Sequence, residues 1–427
     1  MGQMEMHMRP RLTLLCSALV LTACGGGGGY FDMVDPQVLL LREDFNGMAI
    51  ADFDGDGLND VVLGSTIVED RQLLDSRVAV YLQNSASPGT FLPPSHHAQD
   101  LGTVMLKNLA VADLQQDGAP DIIGTSWHEG GFRTILNDPM QPGSFLPSVH
   151  YGVGAGYMTF GRSQSIGDID SDGLPDVALV SSTSVSWCPQ NGADPGTFQN
   201  DVYIGTGQQD VIADDVDGDG LVDIVTLDGD GVVSKSLRLY RNNTNSPGQF
   251  QAPLIIVTTF FAEHLGLADF DANGLMDIAV SGSQVNPDNF TSYGEFVVFR
   301  QTGPGQFRPT DVGLTGGMGI TENFVTADLN GNSFPEMVFF LPTATPDATT
   351  VRIMGGGRMS VPHPLRDLLI PDDPSLTSSG LGAIAVADLN NDTIPDIAVL
   401  SQQLYVFFQS PAQPLTFDGP HRITTPL

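Results

Sequence analysis

The chain repeats one acidic pattern seven times, and this repetition constrains its fold more than any other feature. Each copy reads Asp-x-[Asp/Asn/Gln]-x-[Asp/Asn]-x-x-x-[Asp/Glu], with small or apolar residues before it and an apolar run after it. The first Asp of successive copies falls at 52, 113, 168, 215, 269, 328 and 388, so the copies begin 47 to 61 residues apart. A period of this length indicates a supersecondary unit that becomes stable only when it is stacked on its neighbours.

Each copy is predicted to contain four short strands. In the first copy, Met48–Ala51 leads into the acidic loop, Asp60–Leu63 leaves it, Val78–Tyr81 follows, and a last strand lies near Phe91–Pro94. A Pro-Gly-x-Phe turn precedes that last strand, first at Pro88; the turn is degenerate in copy seven and absent from copy six. Apolar runs bounded by Gly, Pro, Asn and Asp are typical of strands, and 49 Gly and 29 Pro are too many for long helices.

Seven four-stranded units predict an all-β fold, a seven-bladed β-propeller of four-stranded blades. A linear β-solenoid is the alternative, but its repeats are usually shorter. A propeller must close, and the outermost strand of blade seven could come from the N-terminal segment 36–42 or from Phe417–Thr424. We favour the N-terminal segment, because the apolar run Val38–Leu41 would otherwise be an unpaired strand edge.

The acidic loops are predicted to bind calcium. Loop one places carboxylates at positions 1, 3, 5 and 9 of the pattern and has Gly57 at position 6, where a sharp turn with positive φ is needed. A hard cation such as Ca²⁺ takes six to eight oxygen ligands, whereas Mg²⁺ prefers octahedral geometry with retained waters. Carboxylates packed together without a cation would repel one another. We therefore predict several structural Ca²⁺ ions, the alternative being solvated acidic turns without metal.

The copies differ in their number of acids, which ranks the predicted sites. Loops one, three and four carry four acids and are the firmest candidates, whereas loop six carries two, has Ser333 in place of the turn Gly, and is the weakest. The candidate ligands, loop by loop, are Asp52, Asp54, Asp56 and Asp60; Asp113, Gln115, Asp117 and Asp121; Asp168, Asp170, Asp172 and Asp176; Asp215, Asp217, Asp219 and Asp223; Asp269, Asp271, Asn273 and Asp277; Asp328, Asn330, Asn332 and Glu336; and Asp388, Asn390, Asp392 and Asp396.

These loops, with Phe160-Gly161 ahead of loop three, resemble the FG-GAP/VCBS repeat family, whose best-known members form the α-subunit propeller of integrins. The resemblance covers about residues 36–427. It implies a propeller with structural calcium and an adhesive or carbohydrate-binding role. The Gly-Ala-Pro mark that the family carries after the loop is missing, and Leu63-Gly-Ser65 stands in its place.

The N-terminus has the features of an export signal. Arg9 and Arg11 precede an apolar run, Leu12–Leu21, that is followed by small residues. A basic region, a short apolar region and small residues describe a secretory signal peptide, and the run is too short for a membrane span. The ending Leu21-Thr-Ala-Cys24 resembles a bacterial lipobox, which implies cleavage before Cys24 and lipidation of its thiol; an ordinary signal peptide is the alternative.

Three regions are therefore expected. They are a signal peptide at 1–23, a lipidated Cys with a Gly-rich tether at 24–35, and the propeller at 36–427. The mature protein would be exported and anchored to a membrane by lipid, and Gly25 after the lipidated Cys favours the outer membrane by analogy with lipoproteins. Cys188 is then left without an intramolecular partner, and we expect it to be a buried structural thiol.

Charge and loop variability narrow the class of partner. With 17 Lys+Arg against 50 Asp+Glu the formal net charge is −33, which opposes nucleic-acid binding. A protein or glycan ligand is expected on the variable loops opposite the acidic loops, where the candidate contacts are Trp127, His128, Phe290 and Tyr293. The favoured function is an adhesion or protein-interaction module. The alternative is a lectin or a polysaccharide-active enzyme.

Catalysis is not expected from the pattern of acids. Nearly all acids repeat in register, which marks a structural role, and no Gly-x-Ser-x-Gly elbow or phosphate loop occurs. A glycosidase or lyase could use acids outside the repeat, although such acids are more often surface charges. The acids outside the repeat considered for this role are Glu69, Asp70, Asp75, Glu129 and Glu263.

Overall fold

The structure is a computed structural model, and it describes most of the propeller region. The described residues are 41–69, 72–97, 101–102, 104–126, 129–153, 163–181, 184–207, 209–228, 236–258, 260–285, 292–309, 313–314, 324–342, 348–357, 360–371, 383–400 and 403–423. The predicted signal peptide, Cys24 and the tether lie outside these residues, so they stay predictions.

The described part consists of β-strands joined by turns and loops. In blades one to four the strands are β1 Leu41–Ala51, β2 Asp60–Glu69, β3 Gln72–Tyr81, β4 Ser95–His97; β5 Leu106–Ala112, β6 Asp121–Ser126, β7 Phe132–Ile135, β8 Val149–Tyr151; β9 Ser163–Gly167, β10 Asp176–Val180, β11 Val185–Cys188, β12 Val202–Gly205; and β13 Val211–Asp214, β14 Asp223–Asp228, β15 Ser236–Tyr240, β16 Leu254–Val257. In blades five to seven they are β17 Phe261–Ala268, β18 Asp277–Val285, β19 Ser292–Gly303, β20 Gln306–Pro309, β21 Gly313–Leu314; β22 Phe324–Ala327, β23 Glu336–Pro342, β24 Ala348–Gly357, β25 Ser360–Pro371; and β26 Ala383–Ala387, β27 Asp396–Leu400, β28 Leu404–Gln409, β29 Phe417–Ile423.

The strands form seven separate antiparallel sheets, each with four consecutive strands in sequence order, and β21 adds to β19 in blade five. This confirms the predicted all-β, seven-bladed propeller. Each acidic loop joins the first strand of its blade to the second. Within the described residues there is no helix of the length and apolar character needed to cross a bilayer.

The hydrophobic core lies between neighbouring blades, which explains why the second strands are apolar throughout. Every residue of β10 and β27 is buried. Val177 and Leu179 of blade three pack in one cluster with Ile123 and Phe132 of blade two. Because both faces of a middle strand meet another blade, the alternation expected of a half-exposed strand disappears. Cys188 lies in the same cluster as a buried free thiol, as predicted.

The outer strands differ most from the prediction. Phe91 makes only an isolated bridge to Gln83, and the strand proper is Ser95–His97. Pro93 and Pro94 lack the backbone N–H that a ladder needs, which explains why the strand begins after them. Blade six lacks the Pro-Gly-x-Phe turn and has instead a long β24–β25 hairpin with strands of 10 and 12 residues.

The prediction for the closing strand is wrong. The outermost strand of blade seven is β29, which pairs with β28 from Leu404↔Ile423 to Gln409↔Phe417 and so occupies the outer edge of that sheet. Leu41 belongs to β1, where it pairs with Glu69 of blade one. The rest of the N-terminal segment, 36–40, lies outside the described residues.

The topology divides the loops between two faces. Antiparallel order places the acidic loops and the turns between third and fourth strands on one face, here called the acidic face. The connections between second and third strands lie on the opposite face. There the ladders of blades one and five are long and reach Glu69↔Gln72 and Val285↔Ser292.

Candidate metal centres

Each acidic loop is folded around the carboxylate of its first residue. In loop one, Asp52 accepts hydrogen bonds from the backbone N–H groups of Gly55 and Gly57, both at 2.8 Å, and of Asp56 at 3.1 Å. Asp215 makes the same three bonds in loop four. Short Asp side chains favour such local backbone bonds. The first acid therefore both shapes the loop and remains close enough to ligate.

The acid at position 9 is the buried anchor of each loop, with at most 1% of any of the seven exposed. Asp60 accepts one bond from the N–H of Phe53 within the loop at 2.9 Å and one from the N–H of Gln83 after the third strand at 2.7 Å. Burial raises the pKa of Asp60 to about 6, although these backbone bonds oppose the shift. Burial likewise raises the pKa of Asp176 and of Asp223 to about 7.

The structure brings the acids at positions 1, 3 and 9 together in four loops. Within each group, one ligand atom per residue lies within 4.8 Å of the others; the groups are Asp52, Asp54 and Asp60; Asp168, Asp170 and Asp176; Asp215, Asp217 and Asp223; and Asp269, Asp271 and Asp277. The acid at position 5 is used differently, since Asp56 accepts a bond from the N–H of Leu58 at 3.0 Å. These four groups could hold metal ions.

Unsatisfied oxygens in the loops fit a bound cation. Buried oxygens of Asp168, Asp217 and Asp271 have no hydrogen-bond partner, and neither does Oε1 of Gln115 in loop two. A buried acceptor without a partner is costly, and a cation would satisfy it. An oxygen-only donor set suits a hard cation such as Ca²⁺.

The loops in which three acids converge are almost those that the acid count favours as metal sites. Loops one, three and four each form a triad, but loop five does so with only three acids. In loop six the Asn330 side-chain amide donates to Glu336, so an amide already occupies one potential ligand oxygen. Position 6 has positive φ in all seven loops, including Ser333 at 68° and Thr393 at 70°. Loops six and seven thus keep the turn geometry but carry its strain in a non-glycine residue.

Two arginines distinguish loops four and five. Arg241 lies 3.7 Å from Asp217, and Arg300 lies 3.7 Å from Asp271. Each guanidinium offsets part of the negative charge at position 3 of its loop. The ion pairs of the described residues include no such arginine at the triads of loops one and three. We therefore expect loops one and three to bind a cation more strongly than loops four and five.

A buried amide in six blades is a part of the site that the sequence analysis missed. Asn242 donates from Nδ2 to the carbonyl of Val222 in its own blade and to the carbonyl of Ile169 in the acidic loop of blade three, both at 2.8 Å. Its Oδ1 accepts the N–H of Gly248 in the Pro-Gly turn at 2.9 Å. One side chain thus joins two acidic loops and a turn. We call this set the staple amides; its members are Gln83, Asn137, Gln190, Asn242, Gln301 and Gln409.

The spacing of the staple amides could have revealed them. Five of the six stand five residues before the Pro of the following turn, as Asn242 does before Pro247, and Gln301 stands three residues before Pro304. In blade six the register Met337↔Met354 puts Gly356 at the equivalent place, and this blade also lacks the Pro-Gly turn. The amide and the turn therefore occur together.

The Pro-Gly turns need glycine because they rest on the preceding acidic loop. Gly143 of blade two has φ of 81°, and a Cβ added there would lie 3.1 Å from Cβ of Asp54 in blade one. The same turn in blade one places Gly89 against Asn390 of blade seven, where an added Cβ would lie 3.4 Å away. Position 3 of each of these loops is therefore held from the next blade.

The candidate contacts on the opposite face are largely outside the described part of the chain. Trp127, His128 and Phe290 are not among the described residues, and of Tyr293 only the backbone is described, paired with Gln284. Glu129 forms an ion pair with Arg133 at 2.8 Å.

Off-repeat acids whose side chains the structure describes belong to none of the possible metal groups. Glu263 accepts a bond from the Ser283 hydroxyl at 2.8 Å. Among the described residues, the groups of acids close enough to share a metal ion all belong to the acidic loops.

Comparison with known families agrees with this architecture. Residues 52–124, 168–226 and 215–280 match the FG-GAP-like repeat. The chain is a seven-bladed propeller that contains FG-GAP-like repeats. No curated protein shows a significant sequence match to it.

Solved structures resemble this FG-GAP propeller at low identity. The exotype rhamnogalacturonan lyase YesX is 13% identical with a TM-score of 0.47, over 84% of this chain and 71% of that one. The Vibrio cholerae biofilm matrix protein Bap1 is 11% identical with a TM-score of 0.41, over 90% and 81%. The Pseudomonas aeruginosa periplasmic gluconolactonase PpgL is 14% identical with a TM-score of 0.40, over 82% and 95%. Likenesses this weak do not bear on activity.

Proposed function

We propose that this FG-GAP propeller is a calcium-stiffened binding module that serves in adhesion or protein interaction. The observation that carries the proposal is the convergence of acids at positions 1, 3 and 9 in four loops, together with buried oxygens that lack a partner. Calcium is the best fit, because the donors are all oxygen and Ca²⁺ accepts a variable number of oxygen ligands, as loops with different numbers of acids require. Metal bound there would stiffen a scaffold that has no disulfide among its described residues.

Metal dependence of stability tests the calcium part of this proposal. Thermal unfolding would be followed on the whole protein in chelator, in Ca²⁺ and in Mg²⁺. Binding to the folded state alone raises stability by mass action, by about 2.7 kcal/mol at a hundredfold excess over Kd for each site. We expect Ca²⁺ to raise the melting temperature well beyond Mg²⁺. An unchanged melting temperature on adding Ca²⁺ to chelated protein would reject the sites.

The binding role is supported by how the fold separates its parts. The repeated acids lie on the acidic face and serve the scaffold, whereas the connections on the opposite face vary in length and include the long ladders of blades one and five. Variable loops on a rigid scaffold are where binding usually resides. Exposed aromatic residues there would supply contact area for a protein or stack on a sugar ring.

The partner class can be tested with Trp127→Ala against Trp187→Phe. Trp127 belongs to the proposed binding face, whereas Trp187 is a packed strand residue that is 4% exposed. A glycan array and a pull-down from surface proteins of neighbouring cells would be run with wild type and both variants. Protein binding that only Trp127→Ala removes supports adhesion. Glycan binding, or product release from a polysaccharide panel, would replace adhesion with the lectin or enzyme alternative.

Export and anchoring are part of the same proposal. The lipobox-like ending at Cys24 would place the propeller on a membrane through lipid, with the outer membrane favoured. Cys24→Ser in a bacterial host, followed by fractionation and labelled palmitate, is the test. We expect loss of the label and release from the membrane fraction. Retention of both by the variant would exclude the anchor.

A further inference from the structure

A cavity of about 440 Å³ opens at the junction between blades seven and one. Its walls are the third-to-fourth-strand turn of blade one and the last two strands of blade seven, and its lining includes Tyr81, Phe91, Phe408, His421, Arg422 and Ile423. A volume of a few hundred Å³ is typical of small-molecule sites. None of its lining residues belongs to an acidic loop or to a connection between second and third strands, the loops proposed above for a macromolecular partner.

Two other junctions fill the equivalent place with aromatic rings. Between blades two and three, Phe198 of the Pro-Gly-x-Phe turn packs on Phe132 at 5.1 Å and on Tyr151 at 5.3 Å, measured between ring centroids. Between blades one and two, Phe145 packs on Phe53 at 5.7 Å and on His97 at 5.3 Å. At these two junctions the turn Phe packs against rings of the preceding blade.

At the junction of blades seven and one the corresponding Phe91 borders open space instead. Phe91 and Phe408 are each only partly buried, and His421 packs on Phe408 at 5.2 Å without filling the cavity. The side chains of Phe91, Phe408 and Ile423 therefore give the cavity an apolar wall that a planar or chair-shaped ring could cover.

The lining of this cavity includes one arginine, Arg422, in a strongly anionic protein. Arg422 is exposed and, within the described part of the chain, forms no ion pair or side-chain hydrogen bond. His421 lies 3.2 Å from Asp418, so that histidine is already engaged. A guanidinium offers planar donors that match a carboxylate in two parallel bonds. A free arginine is notable where the formal charge is −33.

We propose that the cavity binds a small ring-bearing carboxylate. Its ring lies against Phe91 and Phe408, and its carboxylate pairs with Arg422. Both a sugar acid and an aromatic acid have this chemistry. The proposal does not depend on the adhesion role or on which partner meets the opposite face.

The test is a binding titration of the whole protein in Ca²⁺ with galacturonate and phenylacetate, and with the neutral galactose and benzyl alcohol as probes. We expect one acid to bind at or below about 10 mM, with its neutral counterpart at least about tenfold weaker. Binding of galacturonate alone identifies a sugar acid, and binding of phenylacetate alone an aromatic acid. Binding of both supports the shared chemistry.

Arg422→Gln is the decisive variant, with Arg308→Gln as its matched control. Arg308 is an exposed arginine on the outer strand of blade five, far along the ring. We expect Arg422→Gln to weaken acid binding about tenfold, and Arg308→Gln to leave it unchanged. Both variants should melt like wild type, because both side chains are exposed.

Three outcomes would overturn the inference. They are the absence of acid binding at about 10 mM, equal affinity for acid and neutral probes, and equal affinity of Arg422→Gln and wild type. A calcium-dependent melting temperature measured in the same samples keeps the scaffold proposal separate from this result.

Discussion

At the scale of single residues, the acid at position 9 carries two opposed requirements. It must be buried to receive backbone N–H groups from its own loop and, in six blades, from the staple amide residue near the end of the third strand. Burial disfavours its charged form, yet a cation site needs that charge. A cation would resolve the conflict, because it stabilises the carboxylate in place of water.

This conflict predicts opposite pH dependences with and without calcium. Burial raises the pKa of Asp176 and of Asp223 from 3.8 to about 7. The cation-free folded state therefore binds more protons than the unfolded chain between about pH 4 and pH 7, so its stability rises as pH falls through that window. With saturating Ca²⁺ the sign reverses, because protons compete with the cation for the same oxygens.

Thermal unfolding from pH 7.5 down to pH 5, in chelator and in Ca²⁺, measures this difference. We expect the chelated protein to gain about 5 °C while the Ca²⁺-loaded protein loses part of its advantage. Parallel curves in the two conditions would contradict the prediction.

The staple amides give a second prediction at the residue scale. Asn242→Ala leaves the carbonyls of Ile169 and Val222 without their donor, so we expect a loss of about 3 kcal/mol in the free energy of unfolding. Asn242→Gln should recover most of it, since Gln fills the equivalent place in four other blades. Asn245→Ala is the control, because Asn245 is exposed. Urea unfolding of the three variants decides, and equal losses for Asn242→Ala and Asn245→Ala would refute the staple.

At the scale of the element, the acidic loops keep the same backbone conformation even where their candidate ligands differ. Position 6 has positive φ whether it is Gly, as at Gly57 with 89°, or Thr, as at Thr393 with 70°. A β-branched residue pays about 1–2 kcal/mol for that conformation. The loop therefore adopts this turn even where the residue at position 6 disfavours a positive φ.

Thr393→Gly is accordingly expected to stabilise the protein. The Thr393 N–H bond to Asp388 at 2.8 Å is a backbone bond and is kept, and the side chain is exposed. Relief of strain exceeds the added flexibility of Gly, for a net gain of about 1 kcal/mol. Thr244→Gly, at an exposed turn position without positive φ, should give no gain. Chemical unfolding of both variants in chelator is the measurement, and a loss of stability in Thr393→Gly would go against this reading.

The features that every copy repeats were the ones that the sequence predicted correctly. Acid spacing and apolar runs predicted the strands and the position-6 turn, because each copy restates the same local chemistry. The staple amides were missed because either Asn or Gln stands at this place, and because four of them, Asn137, Asn242, Gln301 and Gln409, donate to a carbonyl in the preceding blade. The convergence of loop five was underrated because acid count ignores that the acid at position 5 bonds its own backbone, as Asp56 does.

At the scale of the whole molecule, charge is concentrated on one face. The seven loops hold 23 of the 50 acidic residues in a chain of formal charge −33. Without cations these acids repel one another, and the repulsion between exposed charges is screened over about 10 Å at 0.1 M salt.

We therefore expect NaCl to raise the melting temperature of the chelated protein, by about 5 °C between low salt and 0.5 M. The Ca²⁺-loaded protein should respond less, because bound cations already neutralise the loops. Melts at several NaCl concentrations in chelator and in Ca²⁺ would show the difference, and equal slopes would count against cation binding.

Ring closure depends on contacts between blades rather than on an exchanged strand. At the closing junction Asn59 donates from Nδ2 to the carbonyl of Asp388 in blade seven at 2.9 Å. It is the only Asn at position 8 of the seven loops.

Asn59→Ala removes this bond, so we expect a loss of about 1 kcal/mol in the free energy of unfolding. Asn200→Ala, at an exposed position in blade three, is the control and should cost nothing measurable. Because β29 supplies the outer strand of blade seven, we expect that deleting residues 1–40 leaves the effect of Asn59→Ala unchanged; an effect that appears only after the deletion would show that the segment shares in the closure.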